Sequence, residues 1–155
     1  VAMISGVVSH NERAKYRLKG ITGQLLESGI DLSNERIVEQ PFTIEGGRAG
    51  LRIAMELNPR PTAIVCSTDV TCIGALAEAR AMGIGVPKDL SISGFDDIEF
   101  AAACVPALTT VRVPTSKIGI SSANNIVALI EGRPLARRER IQIELVVRES
   151  TAPRR

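Results

Sequence analysis

The sequence predicts an α/β fold, a doubly wound parallel sheet with helices on both faces. Three observations carry this. Short apolar runs alternate with stretches of helical periodicity along most of the chain. The early runs lack polar alternation, which is the pattern of strands buried on both faces. Glycine or proline follows each helical stretch at the position where a helix stops.

The elements follow in order. Ala2-Met3-Ile4 is a buried strand ending at Ser5-Gly6, and Leu18, Ile21, Leu25 and Leu26 fall at helical spacing between about Glu12 and Ser28, with Gly29 as the stop. Ile37-Val38-Glu39 is a short strand. A helix runs from about Gly46 to Leu57 on Leu51, Ile53 and Ala54, closed by Asn58-Pro59. Ala63-Ile64-Val65-Cys66 is a fully apolar strand, after which Thr68 or Asp69 caps a helix reaching Met82, with Gly83 just beyond. Ser91 to Phe95 is the next strand, followed by a short irregular segment. Leu108 to Val113 and Ile141 to Val147 alternate polar and apolar residues, so they suit a crossover or an edge. Between them Thr115 or Ser116 caps a helix to about Glu131, followed by Gly132-Arg133-Pro134.

Composition narrows the function classes. A chain of 155 residues with 45% hydrophobic and 23% charged content can bury a sizeable core and is no candidate for wholesale disorder. No apolar run approaches the roughly 18 residues needed to span a membrane. The start, Val1-Ala2-Met3-Ile4, has no secretory pattern and reads as the middle of a protein. The net charge of +2 marks no nucleic-acid face. Arg133, Arg137, Arg138, Arg140, Arg154 and Arg155 do cluster late, but glutamates are interleaved with them, which fits a solvated tail. Aromatic content of 3% argues against base stacking. Cys66, Cys72 and Cys104 form no C-x-x-C pair, and His10 alone completes no zinc set, so reduced, mostly buried thiols are expected, with no metal and no cofactor. No P-loop, dinucleotide glycine pattern, nucleophile elbow or catalytic constellation is present.

In open sheets of this kind ligands bind beyond the carboxyl ends of the strands. Those ends are Ser5 to Arg17, Gln40 to Thr43, Ser67 to Asp69 and Phe95 to Asp97. Arg13 and Arg17 are four apart and share one face of a helix. Arg17 offers a planar fork of donors for a carboxylate, a phosphate or paired hydroxyls, although surface arginine is the commoner fate. Asp96 or Asp97 suits two hydroxyls of a polyol, but Asp97 better suits a turn or a cap. Phe42 suits either a ligand wall or core packing. Thr68 is a helix cap that can also face a cleft.

At these positions the chain resembles LacI/GalR-type transcriptional regulators. Gly83 through Asp97 reads as the pattern G-x-x-V-P-x-D-x-S-x-x-G-[FY]-D-[DN]. Arg60 to Asp69 running into Gly74-Ala75-Leu76, Pro106 to Val111 (P-x-L-T-T-[VI]) and Arg17-Leu18-Lys19-Gly20 (R-x-x-G) agree with it in order and spacing. The resemblance implies a periplasmic-binding-protein-like lobe that senses a small effector, most simply a sugar. Residues 1–105 correspond to the second lobe of an effector-binding domain, 106–134 to a crossover strand and helix belonging to the first lobe, and 135–155 to the return strand and tail. It further implies a cytoplasmic homodimer, with operator DNA held by an N-terminal helix-turn-helix domain lying outside these residues.

The resemblance assigns the effector grip to Arg17 and Asp96 and the pocket wall to Phe42. Arg13 lies at a position that varies with ligand, Thr68 stands where many sugar-responsive members carry Asn, and Asp97 is structural. A competing class on the same architecture is a periplasmic sugar-binding protein of a transport system; an enzyme is not expected.

Overall fold

The computed structural model describes residues 1–9, 11–135 and 140–153. His10, Arg137, Arg138, Arg154 and Arg155, which entered the metal and basic-tail readings, lie outside them. The strands are β1 (Ala2–Ser5), β2 (Ile37–Glu39), β3 (Ala63–Cys66), β4 (Ser91–Ser93), β5 (Thr110–Arg112) and β6 (Glu144–Val146); the helices are α1 (Glu12–Glu27), α2 (Ile44–Glu56), α3 (Asp69–Ala81), α4 (Glu99–Ala103) and α5 (Thr115–Ile130).

The first four strands form a parallel sheet in the order β2-β1-β3-β4. Its register pairs Met3 with both Ile37 and Val65, and Ile64 with Ile92. Because β1 is flanked on both sides, the chain reverses winding direction after β2, which opens a crevice at the carboxyl ends of β1 and β3.

Strand alternation decides what packs on each face. Ile4, Ile64, Cys66 and Ile92 meet Leu51 and Ala54 of α2 and Cys72, Ala75 and Ala79 of α3 in one core. Burying a side chain of Leu51's size stabilises the fold by about 1.5–3 kcal/mol. Met3, out of phase with Ile4, is also fully buried, so the opposite face is covered too. Helices α2 and α3 approach closely because two crossing positions lack side chains: a β-carbon on Gly47 would collide with the Thr71 carbonyl, and one on Gly74 with the Ile44 carbonyl.

Several features differ from expectation, beginning with β4, β5 and β6, which are shorter than the runs Ser91 to Phe95, Leu108 to Val113 and Ile141 to Val147. Helix α2 starts at Ile44, two residues before Gly46, because the Thr43 hydroxyl accepts from the Gly46 N–H at 2.9 Å. The segment after Phe95 contains α4, a five-residue turn of helix too short for periodicity to reveal. Helix α5 has Pro114 rather than Thr115 or Ser116 at its cap position, with no side-chain cap. The last strand also runs the other way: β6 pairs antiparallel with β5, Val111 opposite Leu145. A parallel return requires the intervening helix to pack over the sheet, whereas α5 buries only Ala128.

Strand β5 extends the main sheet through parallel bridges Ser93–Thr109 and Asp96–Arg112. Ser150, fully buried, anchors the returning tail. Its hydroxyl donates to the Ile92 carbonyl at 2.6 Å and accepts from the Thr109 N–H at 2.8 Å.

Candidate functional site

A cavity of about 280 Å³ opens at the carboxyl ends of the strands and is lined by Asn11, Arg13, Ala14, Arg17, Phe42, Thr68, Val70 and Asp96. All five residues singled out as effector contacts, Arg13, Arg17, Phe42, Thr68 and Asp96, therefore meet at one place. They arrive there on four separate segments.

Helix α1 begins at this cavity because the Asn11 carboxamide accepts from the Ala14 N–H at 3.1 Å, satisfying one of the free donors of its first turn. Ala14 packs inward, and Arg13 and Arg17, on either side of it, line the opening. Phe42 comes from the β2–α2 connection, which is tied to β1 by the Gln40 N–H donating to the Ser5 carbonyl at 2.8 Å. Its ring covers the backbone of Gly6, where a β-carbon would fall within the ring. Thr68 caps α3, accepting from the Thr71 N–H at 3.3 Å.

Asp96 follows β4 with a φ of 117°, and Asp97 has 55°. Both values lie where non-glycine residues are rare, at a cost of about 1–3 kcal/mol each. The strained turn is held from three sides. The Asp96 N–H donates to the Val111 carbonyl at 2.9 Å. The Asp97 carboxylate accepts from Arg112 Nε at 2.6 Å and from an Arg148 terminal nitrogen at 2.7 Å. Beneath the turn, fully buried Asp69 accepts from the Ile98 N–H at 3.0 Å and from the Thr110 hydroxyl at 2.6 Å.

Arg17 is the most constrained side chain at the opening. It donates to the Ser67 carbonyl, lies 3.8 Å from the centroid of the Phe95 ring, and approaches Asp96 Oδ1 at 3.8 Å. Burial lowers the Arg17 pKa; Asp96 opposes that shift and Arg13 adds to it. Arginine nonetheless remains charged. Burial also raises the Asp96 carboxyl above its ordinary value, with Arg17 pulling the other way. At 3.8 Å the pair is too far apart for a direct hydrogen bond, so both groups keep capacity for a third partner. A planar donor fork beside a carboxylate, with an aromatic ring at the rim, suits a polyhydroxylated small molecule.

Asn11, Gly6, Ser67 and Phe95 support the site and were not singled out in the sequence. Asn11 was the readable one, since Asn just before Glu12 is a helix-start signal. Burial raises the pKa of Cys72 and Cys104, and all three cysteines are free. Among the described residues, no group of three or more His, Cys, Asp or Glu is placed to hold a metal ion.

The periplasmic binding protein-like domain model matches residues 1–151. The chain belongs to that family. Relatives of this periplasmic binding protein-like domain include the HTH-type transcriptional repressor CytR of Escherichia coli, 36% identical over 88% of this chain and 40% of CytR. The ribose operon repressor of Haemophilus influenzae is 37% identical over 74% of this chain and 35% of the repressor. A LacI family transcriptional regulator from Mycobacterium smegmatis superposes with a TM-score of 0.87 at 32% identity, covering 98% of this chain and 57% of that one. The domain thus spans well under half the length of these two curated relatives. The resemblance to LacI/GalR-type regulators is upheld. These relatives are regulators rather than transport proteins or enzymes, so the periplasmic sugar-binding alternative is not favoured. No helix among the described residues is long and apolar enough to cross a membrane.

Proposed function

We infer that this domain is the effector-sensing part of a transcriptional repressor. It receives a small molecule, most simply a sugar, in the strand-end cavity and alters operator binding. The observation that carries this reading is the convergence of Arg17 and Asp96, flanked by Phe42, Thr68 and Arg13, on one cavity. The ribose operon repressor among the relatives supports a sugar.

In this reading residues 1–105 form one lobe, 106–134 cross into a companion lobe, and 135–155 return. The support lies in α5, where Ile120, Ile126, Leu129 and Ile130 are all exposed. An apolar helical face of that size calls for cover. The companion lobe supplies both that cover and the far wall of the cavity, and the effector favours the closed arrangement by binding it more tightly. Two copies pair so that their DNA-reading heads span two half-sites. Such a regulator works in the cytoplasm, performs no catalysis and needs no cofactor.

The test is Arg17→Ala and Asp96→Ala in the full-length protein. Each abolishes the response to effector and leaves operator affinity intact in an anisotropy assay. An unchanged response in both variants overturns the reading. Residues 1–155 alone, with one wall of the cleft, bind no effector tightly by calorimetry.

A further inference from the structure

The cavity carries more positive charge than its own structure uses. Arg13 sits in the first turn of α1, where the helix macrodipole disfavours a cation. It is also one turn from Arg17, and like charges four apart on a helix repel. Arg13 makes no hydrogen bond or ion pair among the described residues, while Arg17 spends its contacts on Ser67, Phe95 and, loosely, Asp96. Among the described residues, Asp96 is the only acidic side chain lining the cavity. Asp69, close by, is fully buried and occupied by Thr110 and the Ile98 N–H. The N-caps of α1 and α3, Asn11 and Thr68, both line the same opening, so two helix amino ends add their positive poles to it. Glu12 in the same turn is taken up by Lys15 at 2.7 Å, and Asp96, which attracts both arginines, makes no direct bond with Arg13. Local conflicts relieved only in part mark functional positions.

We propose that the effector is an anionic polyol, a sugar bearing a carboxylate or a phosphate, whose charged group is received by Arg13 and whose hydroxyls are held by Arg17 and Asp96. This rests on the reading of the cavity as the effector site. Arg13 sets which class of sugar is accepted. Its side chain is exposed at the rim, so the anion is taken by a charge-assisted hydrogen bond there while the hydroxyls reach the less exposed Arg17 and Asp96.

The experiment is operator release by the full-length protein, followed by anisotropy and by thermal shift, against matched panels. One panel holds neutral pentoses, hexoses and nucleosides, a second hexuronates and aldonates, a third hexose phosphates. The expected result is release by a member of the second or third panel at a concentration at least about tenfold below its neutral counterpart, the scale of one charge-assisted hydrogen bond. Which charged panel responds distinguishes carboxylate from phosphate. Arg13→Gln removes most of that preference and, without ligand, leaves the melting temperature unchanged or higher, because the repulsion with Arg17 is gone. Release by a neutral compound as readily as by its charged counterpart, or an Arg13→Gln protein with the full preference, overturns the proposal and leaves the effector-site reading standing. Silence across all panels overturns both.

Discussion

The ring of Phe42 occupies the space that a side chain on Gly6 would need. Gly6 directly follows β1 and Phe42 lies in the turn after β2, so the cavity wall depends on a missing side chain at the end of the neighbouring strand. Gly6→Ala therefore displaces the ring. It weakens effector binding by about tenfold, or about 1.4 kcal/mol. Phe42→Ala weakens binding to a similar extent, but its effect on the melting temperature is small because the ring is 38% exposed. Titration calorimetry of the full-length variants, with thermal melts alongside, separates the two effects. A Gly6→Ala protein with native affinity refutes the dependence.

Asp96 makes effector binding sensitive to mild acid. Burial raises its carboxyl above the ordinary value, and Arg17 only partly counteracts that. Ionising Asp96 therefore works against the fold. That cost is absent below the ordinary carboxylate value of about 3.9 and complete above the raised one. The ionised form is the one that accepts hydroxyl hydrogen bonds, so affinity declines as pH falls through the raised value, before unperturbed carboxylates titrate. Asp96→Asn is expected to bind weakly at every pH, to lose this pH dependence, and to melt no lower than the native protein at pH 7. An affinity profile that is flat down to pH 4 in the native protein contradicts this.

Five of the eight cavity residues were legible in the sequence: the alternation of apolar strands and helices marked the strand-end segments as ligand-facing, and the resemblance to LacI/GalR-type regulators picked the residues within them. What stayed hidden depends on tertiary contacts. The Gly94-Phe95-Asp96-Asp97 segment looks like a turn, and only the structure gives the reason for its first residue: a β-carbon on Gly94 would collide with the buried carboxylate of Asp69. Nothing local in Arg112 or Arg148 announces that both reach Asp97. The antiparallel return of β6 was hidden for a related reason, since it depends on where α5 packs. The periodicity of α5 identifies a helix without saying which surface covers it.

Asp97 joins the turn at the site to two later chain segments, through Arg112 on β5 and Arg148 just after β6. Burial pushes its carboxyl up, but hydrogen bonds from Arg148 and Arg112 and their charges outweigh that and hold it below its ordinary value. Arg112 also pairs with Glu144 at 3.0 Å. The clamp therefore stabilises the fold above the ordinary carboxylate value, and that contribution is lost as pH falls through the depressed one. Asp97→Ala leaves the largely buried Arg148 without its carboxylate and lowers the melting temperature by about 5 °C at pH 7. As pH falls below the ordinary carboxylate value and through the depressed one, the difference between variant and native protein shrinks. Thermal melts from pH 7 to pH 2.5 provide the check, and a difference that grows toward acid has the wrong sign for this clamp.

Thr110 ties the same turn to β5 from beneath, its hydroxyl donating to Asp69 at 2.6 Å in a fully buried position. Valine has nearly the shape of threonine, so Thr110→Val removes the donor with little change in packing. Asp69 is left with the Ile98 N–H as a side-chain partner, at a cost of about 1–3 kcal/mol for a buried acceptor short of a donor. Thr110→Ser keeps the hydroxyl and loses a methyl group. It is the smaller perturbation if the hydrogen bond dominates and the larger one if packing does. Chemical denaturation of the three proteins gives the order directly. Serine close to native with valine well below identifies the hydrogen bond as what holds β5 to the site, and the reverse order assigns that role to the buried methyl.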